Sequence, residues 1–248
     1  MKVEVYKTKK IRVGDDLYQH LGQVFAVLPE RSVVIITSKI VSICEGSVVD
    51  PGQITKEELI KSEADMIFEG ELSYGMYLTI KNNIIIPNAG IDESNTADGF
   101  VLWPKDPQRS ANKIRKYLME KLGLKELGVI ISDSKTIPMQ RGTTGVSLAH
   151  SGFMALNNYI GKEDLFGREL MVSMSNVANG MAAAGVMMMG EGSEQTPLAV
   201  ITDLPNVEFN LEDPDEKELG LINIQLDEDI YAPILTASTW KQRDHGKY

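Results

Sequence analysis

Two stretches of this chain put carboxylates beside hydroxyls just after apolar runs. In the first, Gly128–Gly145, the run Val129–Ile131 leads into Ser132-Asp133-Ser134, and a loop of Pro, Gln, Arg, Gly and Thr follows. In the second, Ile84–Ile86 leads through Pro87-Asn88-Ala89-Gly90 into Ile91-Asp92-Glu93-Ser94-Asn95. A carboxylate beside a hydroxyl, with a basic residue in a Gly/Thr loop nearby, suits a cation held together with a phosphate. For the first stretch alone, a polar loop in which Asp133 caps a turn is the plainer reading. A second stretch built alike shifts the balance toward chemistry. The loop from Gly190 to Pro197 adds Glu191 and Glu194. Lys39, Arg141 and the amides of the glycine loops are candidate phosphate contacts, although for Lys39 alone a solvated edge charge is the plainer reading.

The donor set narrows the chemistry. Hard oxygen ligands favour magnesium or manganese bound with phosphate. Three histidines and one cysteine make a zinc site a poor fit. The pattern GxxxxGK[ST] is absent, which excludes a P-loop. Gly190 and Gly192 begin a GxGxxG pattern, but Gln195 takes the third glycine position and the loop follows a helix and precedes a strand. That reverses the dinucleotide-binding context. A helix C-cap with a turn remains the alternative for this loop.

The 248 residues fit one large or two small domains, with 43% hydrophobic and 24% charged residues. A net charge of -10 argues against nucleic acid as a partner. The single cysteine, Cys44, suits a reducing cytosol. Neither an apolar signal core nor an 18-residue apolar run occurs, so a cytoplasmic protein with no membrane partner is expected.

These residues need elements to position them. Lys2–Tyr6 alternates as a strand. A helix follows from an Asp N-cap at 15–16, carries Leu17, Leu21, Val24 and Leu28, and should end at Pro29. Val33–Ile36 reads as a buried strand ending in the polar Thr37-Ser38-Lys39, with Glu45-Gly46 closing the unit. Thr55 and Glu58 form a capping box, with Ile54 stapled to Leu59, for a helix running to about Phe68. Met76–Ile80 and Ile84–Ile86 form a hairpin across Lys81-Asn82-Asn83, so Asp92 should emerge from a hairpin strand. Val101–Trp103 is a short strand. Ser110 begins a helix with Ile114, Tyr117, Leu118 and Leu122, ended by Gly123. Leu170–Met174 and Leu198–Ile201 read as strands around an Asn176–Met189 helix, whose Met187-Met188-Met189 run reads as core filling. An acidic loop follows from Pro205 to Lys217, order resumes at Leu221–Leu226, and the chain frays after Trp240. His150, within a small apolar stretch, reads as a hydrogen-bonded core residue. The mixture of hairpins and helices predicts an α+β fold.

Several motifs occur together in the order and spacing of one family: GIDESN at Gly90–Asn95, the Ser132–Pro138 stretch, Gly142 with Gly145-Val146, and the Gly190–Pro197 loop. Thr37–Ser42 with Glu45-Gly46 matches as well, as does Asp106-Pro107 with Ser110 and Ile114-Arg115. The chain resembles the CofE-type gamma-glutamyl ligases, which add glutamate to the precursor of the deazaflavin coenzyme F-420, and the similarity runs from Gly14 to about Ile201. The resemblance implies a two-part α+β architecture with mixed sheets and flanking helices: one ligase unit over residues 1–248, made of two interleaved subdomains. It also implies a homodimer and no flavin-binding extension. It places metal ligands at Asp92, Asp133, Ser134 and Glu191. Nucleotide contacts fall at Ser38, Lys39 and Asn95, at Thr8, Lys9, Lys10 and Ile11, and at Met189, Gly190, Glu191, Gly192, Ser193, Glu194, Gln195 and Thr196. Asp133, Lys39 and Arg141 become the expected catalytic residues.

The implied reaction uses GTP with magnesium or manganese, and potassium as a further candidate cation. The γ-phosphoryl group passes to an acceptor carboxylate, and the amine of L-glutamate attacks the resulting acyl phosphate to give an amide. Four departures accompany the resemblance. Ile43 stands where the family usually has a nucleotide-contacting lysine, and Glu191 replaces a common glutamine. Met139-Gln140 replaces an aromatic-basic pair. Ala149-His150 interrupts a small-residue run. Three readings follow: a deazaflavin-precursor ligase; the same chemistry on a folate or pterin acceptor; and a nucleotide-binding regulator without turnover. The retained metal residues favour an enzyme.

Overall fold

Runs of β-branched residues form the middle of the computed structural model, which describes residues 1–70, 72–96, 99–237 and 239–242. The first part of the chain carries β1 (Lys2–Tyr6), α1 (Leu17–Val24), β2 (Ser32–Thr37), α2 (Ser38–Glu45), β3 (Val48–Val49) and α3 (Lys56–Glu63). Then come β4 (Met66–Phe68), β5 (Leu78–Lys81), β6 (Ile84–Pro87), β7 (Phe100–Val101) and α4 (Pro107–Leu122). The remainder holds β8 (Leu127–Thr136), β9 (Thr143–Ser151), β10 (Leu156–Asn158), β11 (Met174–Asn176), α5 (Val177–Met189) and β12 (Leu198–Thr202). Beyond these lie α6 (Glu216–Ile222), α7 (Ala232–Leu235) and β13 (Trp240–Gln242).

The central sheet has the order β1-β12-β2-β8-β9, with β2 and β8 parallel and every other pair antiparallel. On one face Val34, Ile36, Val129 and Ile131 pack with Leu17 and Leu21 of α1 and with Ala111, Ile114 and Leu118 of α4. On the other, Val33, Ile35 and Ile130 meet Ala178, Met181 and Ala182 of α5. Burial on both faces is why these strands read as unbroken apolar runs. Small residues let α5 lie close on β9. A Cβ on Gly145 would run into the Ala182 carbonyl and stand 2.8 Å from the Val186 Cβ. Gly145→Ala should therefore cost about 1–3 kcal/mol through overpacking. A urea midpoint equal to that of the parent would contradict this.

A second, antiparallel sheet has the order β13-β4-β5-β6. Its β5–β6 turn puts Asn82 (φ 48) and Asn83 (φ 61) in the left-handed region, the two-residue hairpin geometry that Asn tolerates. The capping box at Thr55 and Glu58 is present, Asp16 caps α1, and Gly46 and Gly123 close α2 and α4 in left-handed conformation. The fold is mixed α+β, as expected. No helix among the described residues is long and apolar enough to cross a membrane.

Several boundaries differ from the sequence expectation. The first helix stops at Val24 rather than at Pro29, because Phe25 turns extended and packs edge-on against Tyr6 at 5.2 Å. Thr37 ends β2 as expected, but Ser38 and Lys39 already belong to a helix, because Ile40 and Val41 of α2 enter the core. The Thr55-capped helix ends at Glu63, and Met66–Phe68 pairs with both β5 and β13, a tertiary pairing that overrides local pattern. The Ser110 helix begins three residues earlier, on the Asp106 cap with Pro107 in the first turn. Asp133 and Ser134 lie inside β8, which continues past a bulge at Ile131/Ser132, and not at its end. Asp92 follows a short 3-10 turn after β6 and forms a lone bridge with Val101. The strand expected at Leu170–Met174 appears at Met174–Asn176. Met187 and Met188 face solvent, and only Met189 of that run is core. Trp240 packs on Phe68 and begins a strand; residues 243–248, where fraying was expected, lie outside the described residues.

Candidate active site

A cavity of about 680 Å³ opens where five pieces of chain meet. They are Thr8–Arg12 after β1, the β2–α2 junction, the 92–96 loop, the Asp133-Ser134 part of β8, and the end of α5 with the loop into β12. Gly190 (φ 82) takes the chain out of α5, and the Thr196 hydroxyl donates to the Met189 carbonyl at 2.6 Å, closing the loop. Gln195 Nε2 donates to the Thr8 carbonyl at 2.6 Å, and the Thr37 N–H donates to the Pro197 carbonyl at 3.1 Å. Asn95 Nδ2 donates to the Gly192 carbonyl at 2.8 Å. The glycine loop is thereby tied to the N-terminal segment, to the central sheet and to the 92–96 loop.

The charges inside are arranged in pairs. Lys39 Nζ stands 2.6 Å from Asp92 Oδ2 and donates to the Ser94 carbonyl at 2.9 Å. Burial works against the Asp92 anion, yet the Lys39 ammonium and the Ser94 N–H outweigh it and hold the carboxyl below its usual value. Asp133 Oδ2 accepts from Trp103 Nε1 at 2.5 Å, and Oδ1 accepts from the Ser134 N–H at 2.9 Å. Burial, with a smaller contribution from Asp92, pushes the Asp133 carboxyl up to about 6 against those two hydrogen bonds and Lys39. Ser134 Oγ donates to Glu191 Oε2 at 3.1 Å.

Most of the expected site residues converge here. Thr8, Lys9, Lys10, Ile11, Lys39, Asp92, Asn95, Asp133, Ser134 and the whole Met189–Thr196 stretch line the cavity. Two do not. Ser38 is buried in the first turn of α2 beneath the wall, and Arg141 is exposed in the β8–β9 hairpin loop. Ile43 lines the wall one helical turn from Lys39 and is 4% exposed. His150 is a core residue, with Nε2 3.1 Å from Glu218 Oε1. Sequence reasoning missed Trp103, Ser94, Arg12 and Ile40. Ser94 sits inside the GIDESN motif and Arg12 extends the basic segment, so both carried a signal. Trp103 carried none, because it resembles any apolar residue after a short strand.

Asp92, Asp133 and Ser134 could hold a hard divalent cation. A buried carboxyl that keeps two N–H donors and still faces a polar cavity is suited to a positive partner. Among the described residues no group of three or more His, Cys, Asp or Glu side chains is arranged to hold a metal ion.

The sequence matches the family described as F420-0:Gamma-glutamyl ligase over residues 6–203. It is 32% identical over 214 residues to the coenzyme F420:L-glutamate ligase of Methanopyrus kandleri, covering 79% of this chain and 84% of that protein. The protein of the same name from Methanocaldococcus jannaschii is 34% identical over 73% of this chain and 80% of its own length. The one from Archaeoglobus fulgidus is 32% identical over 82% and 89%. Nearly the whole fold is matched, from the end of β1 through β12, and every loop of the cavity lies within it. The chain therefore belongs to the F420-0:Gamma-glutamyl ligase family, a family of amide-forming ligases.

Proposed function

We propose that this protein attaches L-glutamate through an amide bond to the deazaflavin precursor of coenzyme F420, using GTP and a divalent cation. The observation that carries this reading is the convergence of Lys39, Asp92, Asp133 and the Gly190–Pro197 loop on one cavity. The Lys39 ammonium is placed to balance charge on the γ-phosphoryl group as it leaves GDP and bonds to an acceptor carboxylate oxygen. Glycine-loop amides are suited to the remaining phosphates. Asp92, Asp133 and Ser134 would hold a magnesium or manganese ion, which would supply charge stabilisation to the phosphates. The glutamate amine then attacks the acyl carbon, phosphate departs, and the amide forms with loss of a proton. Phosphoryl transfer is mostly positioning and charge stabilisation, which is what this cavity offers. A thioester route is disfavoured, because burial, reinforced by nearby carboxylates, pushes the Cys44 thiol up to about 12. Homodimerisation belongs to the same reading, and the exposed Leu165, Phe166 and Val172 between β10 and β11 support it.

The test is turnover of purified protein with GTP, L-glutamate, magnesium or manganese, and the deazaflavin precursor. GDP, phosphate and a product heavier by one glutamyl residue are expected. Turnover only with a folate or pterin would move the acceptor; GTP binding without GDP release, across acceptors, would make the protein a regulator.

Ile43 offers a sharper check. A lysine there would add a second ammonium beside the cavity, and one charge-assisted contact is worth ~1.5–3 kcal/mol, about tenfold to a hundredfold in affinity. Ile43→Lys should therefore tighten GTP at low magnesium and help less at saturating magnesium. Because the site is buried, a thermal melt first establishes that the variant folds. Unchanged GTP affinity in a folded variant would show that this wall does not face the nucleotide.

A further inference from the structure

We propose that Trp103 is a positioning residue of the cation site: its indole N–H fixes the Asp133 carboxylate and joins that carboxylate to the second sheet. The proposal rests on the reading that Asp133 helps to hold a divalent cation. Trp103 follows β7 and is 3% exposed. Its Nε1 donates to Asp133 Oδ2 at 2.5 Å, while the Ser134 N–H takes the other oxygen. A carboxylate on a strand can turn about its last torsion, which is broad. Two donors on two oxygens set its plane and leave one acceptor direction on each oxygen for a ligand.

The indole is itself held on its face and at its edge. Lys81 Nζ lies 5.6 Å from the ring centroid, and Lys81 is fixed by Glu63 Oε2 at 2.6 Å. Gly90 lies against the ring edge: a Cβ there would collide with Nε1 and Cε2 and would stand 2.9 Å from Cζ2. The glycine that opens the GIDESN motif thus leaves room for the tryptophan. Lys81 belongs to β5 and Asp133 to β8, so the ring spans the two sheets. Asp92 reaches the cavity from the same region as Trp103, through its bridge to Val101. One indole therefore bears on how the two carboxylates face each other. Partners that orient a metal's ligands are typically worth about 10–100-fold in metal affinity.

The test is Mn2+ binding to the full chain without nucleotide, followed by calorimetry, for the parent and Trp103→Phe. The variant keeps a ring and loses the N–H. Mn2+ should bind about 10–100-fold more weakly. A ring that only fills space would lower the melting temperature and leave Mn2+ affinity alone, which would overturn the proposal. A second measurement stands if that variant does not fold. The chain has two tryptophans, so Trp240→Phe leaves Trp103 as the only tryptophan emitter under excitation selective for indole. Added Mn2+ should quench its fluorescence along the calorimetric isotherm, and emission unmoved by saturating Mn2+ would overturn the assignment. A parent chain that binds no Mn2+ would overturn the cation reading and this proposal together, whereas parental binding with an unaltered Trp103→Phe isotherm would overturn this proposal alone.

Discussion

Asp133→Asn is expected to cost about 10³-fold in cation-dependent turnover while leaving the fold intact, since a clamped cation contributes several kcal/mol of charge stabilisation. The amide oxygen still accepts from Trp103, while its NH2 cannot accept from the Ser134 N–H, so one of the two hydrogen bonds is lost and the volume is kept. The same substitution should change how stability depends on pH. Burial holds the Asp133 carboxyl at about 6, well above the unfolded value near 3.9. Between these values the folded protein binds more protons than the unfolded chain, so this group makes the cation-free protein less stable as pH rises. Asn has no such dependence. Between about pH 4 and pH 7 the difference should move in the variant's favour by about 2 kcal/mol and then level off. Denaturant titrations in chelator measure it. Parallel pH curves would show that this carboxyl titrates as an exposed acid, and full turnover in the variant would remove it from the mechanism.

Lys39→Met should separate activity from stability in the opposite sense. The Lys39–Asp92 pair is partly exposed, with side chains 22% and 42% accessible, so its loss should cost only about 0.2–1 kcal/mol of folding energy. The lost ammonium should matter far more in the transition state, where one preorganised donor is worth about 10²–10³ in kcat. Asp92 would also lose the partner that holds its carboxyl low. That stabilising contribution is present above the unfolded value and vanishes as pH falls through the folded one, so the variant should approach the parent in stability under acid conditions. A variant with parental kcat would place Lys39 outside the reacting groups. A large loss of stability with parental kcat would make it purely structural.

Local chemistry made part of this structure legible in the sequence. The Thr55–Glu58 capping box, the Asn82-Asn83 turn and the caps at Gly46 and Gly123 follow from the backbone preferences of those residues. What was misread depends on distant partners. Met66–Phe68 became a strand because β5 and β13 flank it, and Ser38–Glu45 became a helix because Ile40 and Val41 find the core there. Asp133 was expected at a strand end, but β9 pairs with β8 through Thr136. The site divides in the same way. Its glycine loop and carboxylates stand in contiguous motifs, so they could be seen. Trp103 could not, because its role arises from Gly90, Lys81 and Asp133, which only the fold brings together.

The central claim, that GTP activates a carboxylate for attack by glutamate, is tested most directly by oxygen-18. The deazaflavin precursor is labelled in its acceptor carboxylate and turned over with GTP, L-glutamate and manganese, and the released phosphate is analysed by mass spectrometry. Passage through an acyl phosphate predicts one labelled oxygen in inorganic phosphate for each amide formed. Label recovered in a nucleoside monophosphate, or amide formed with unlabelled phosphate, would contradict the account.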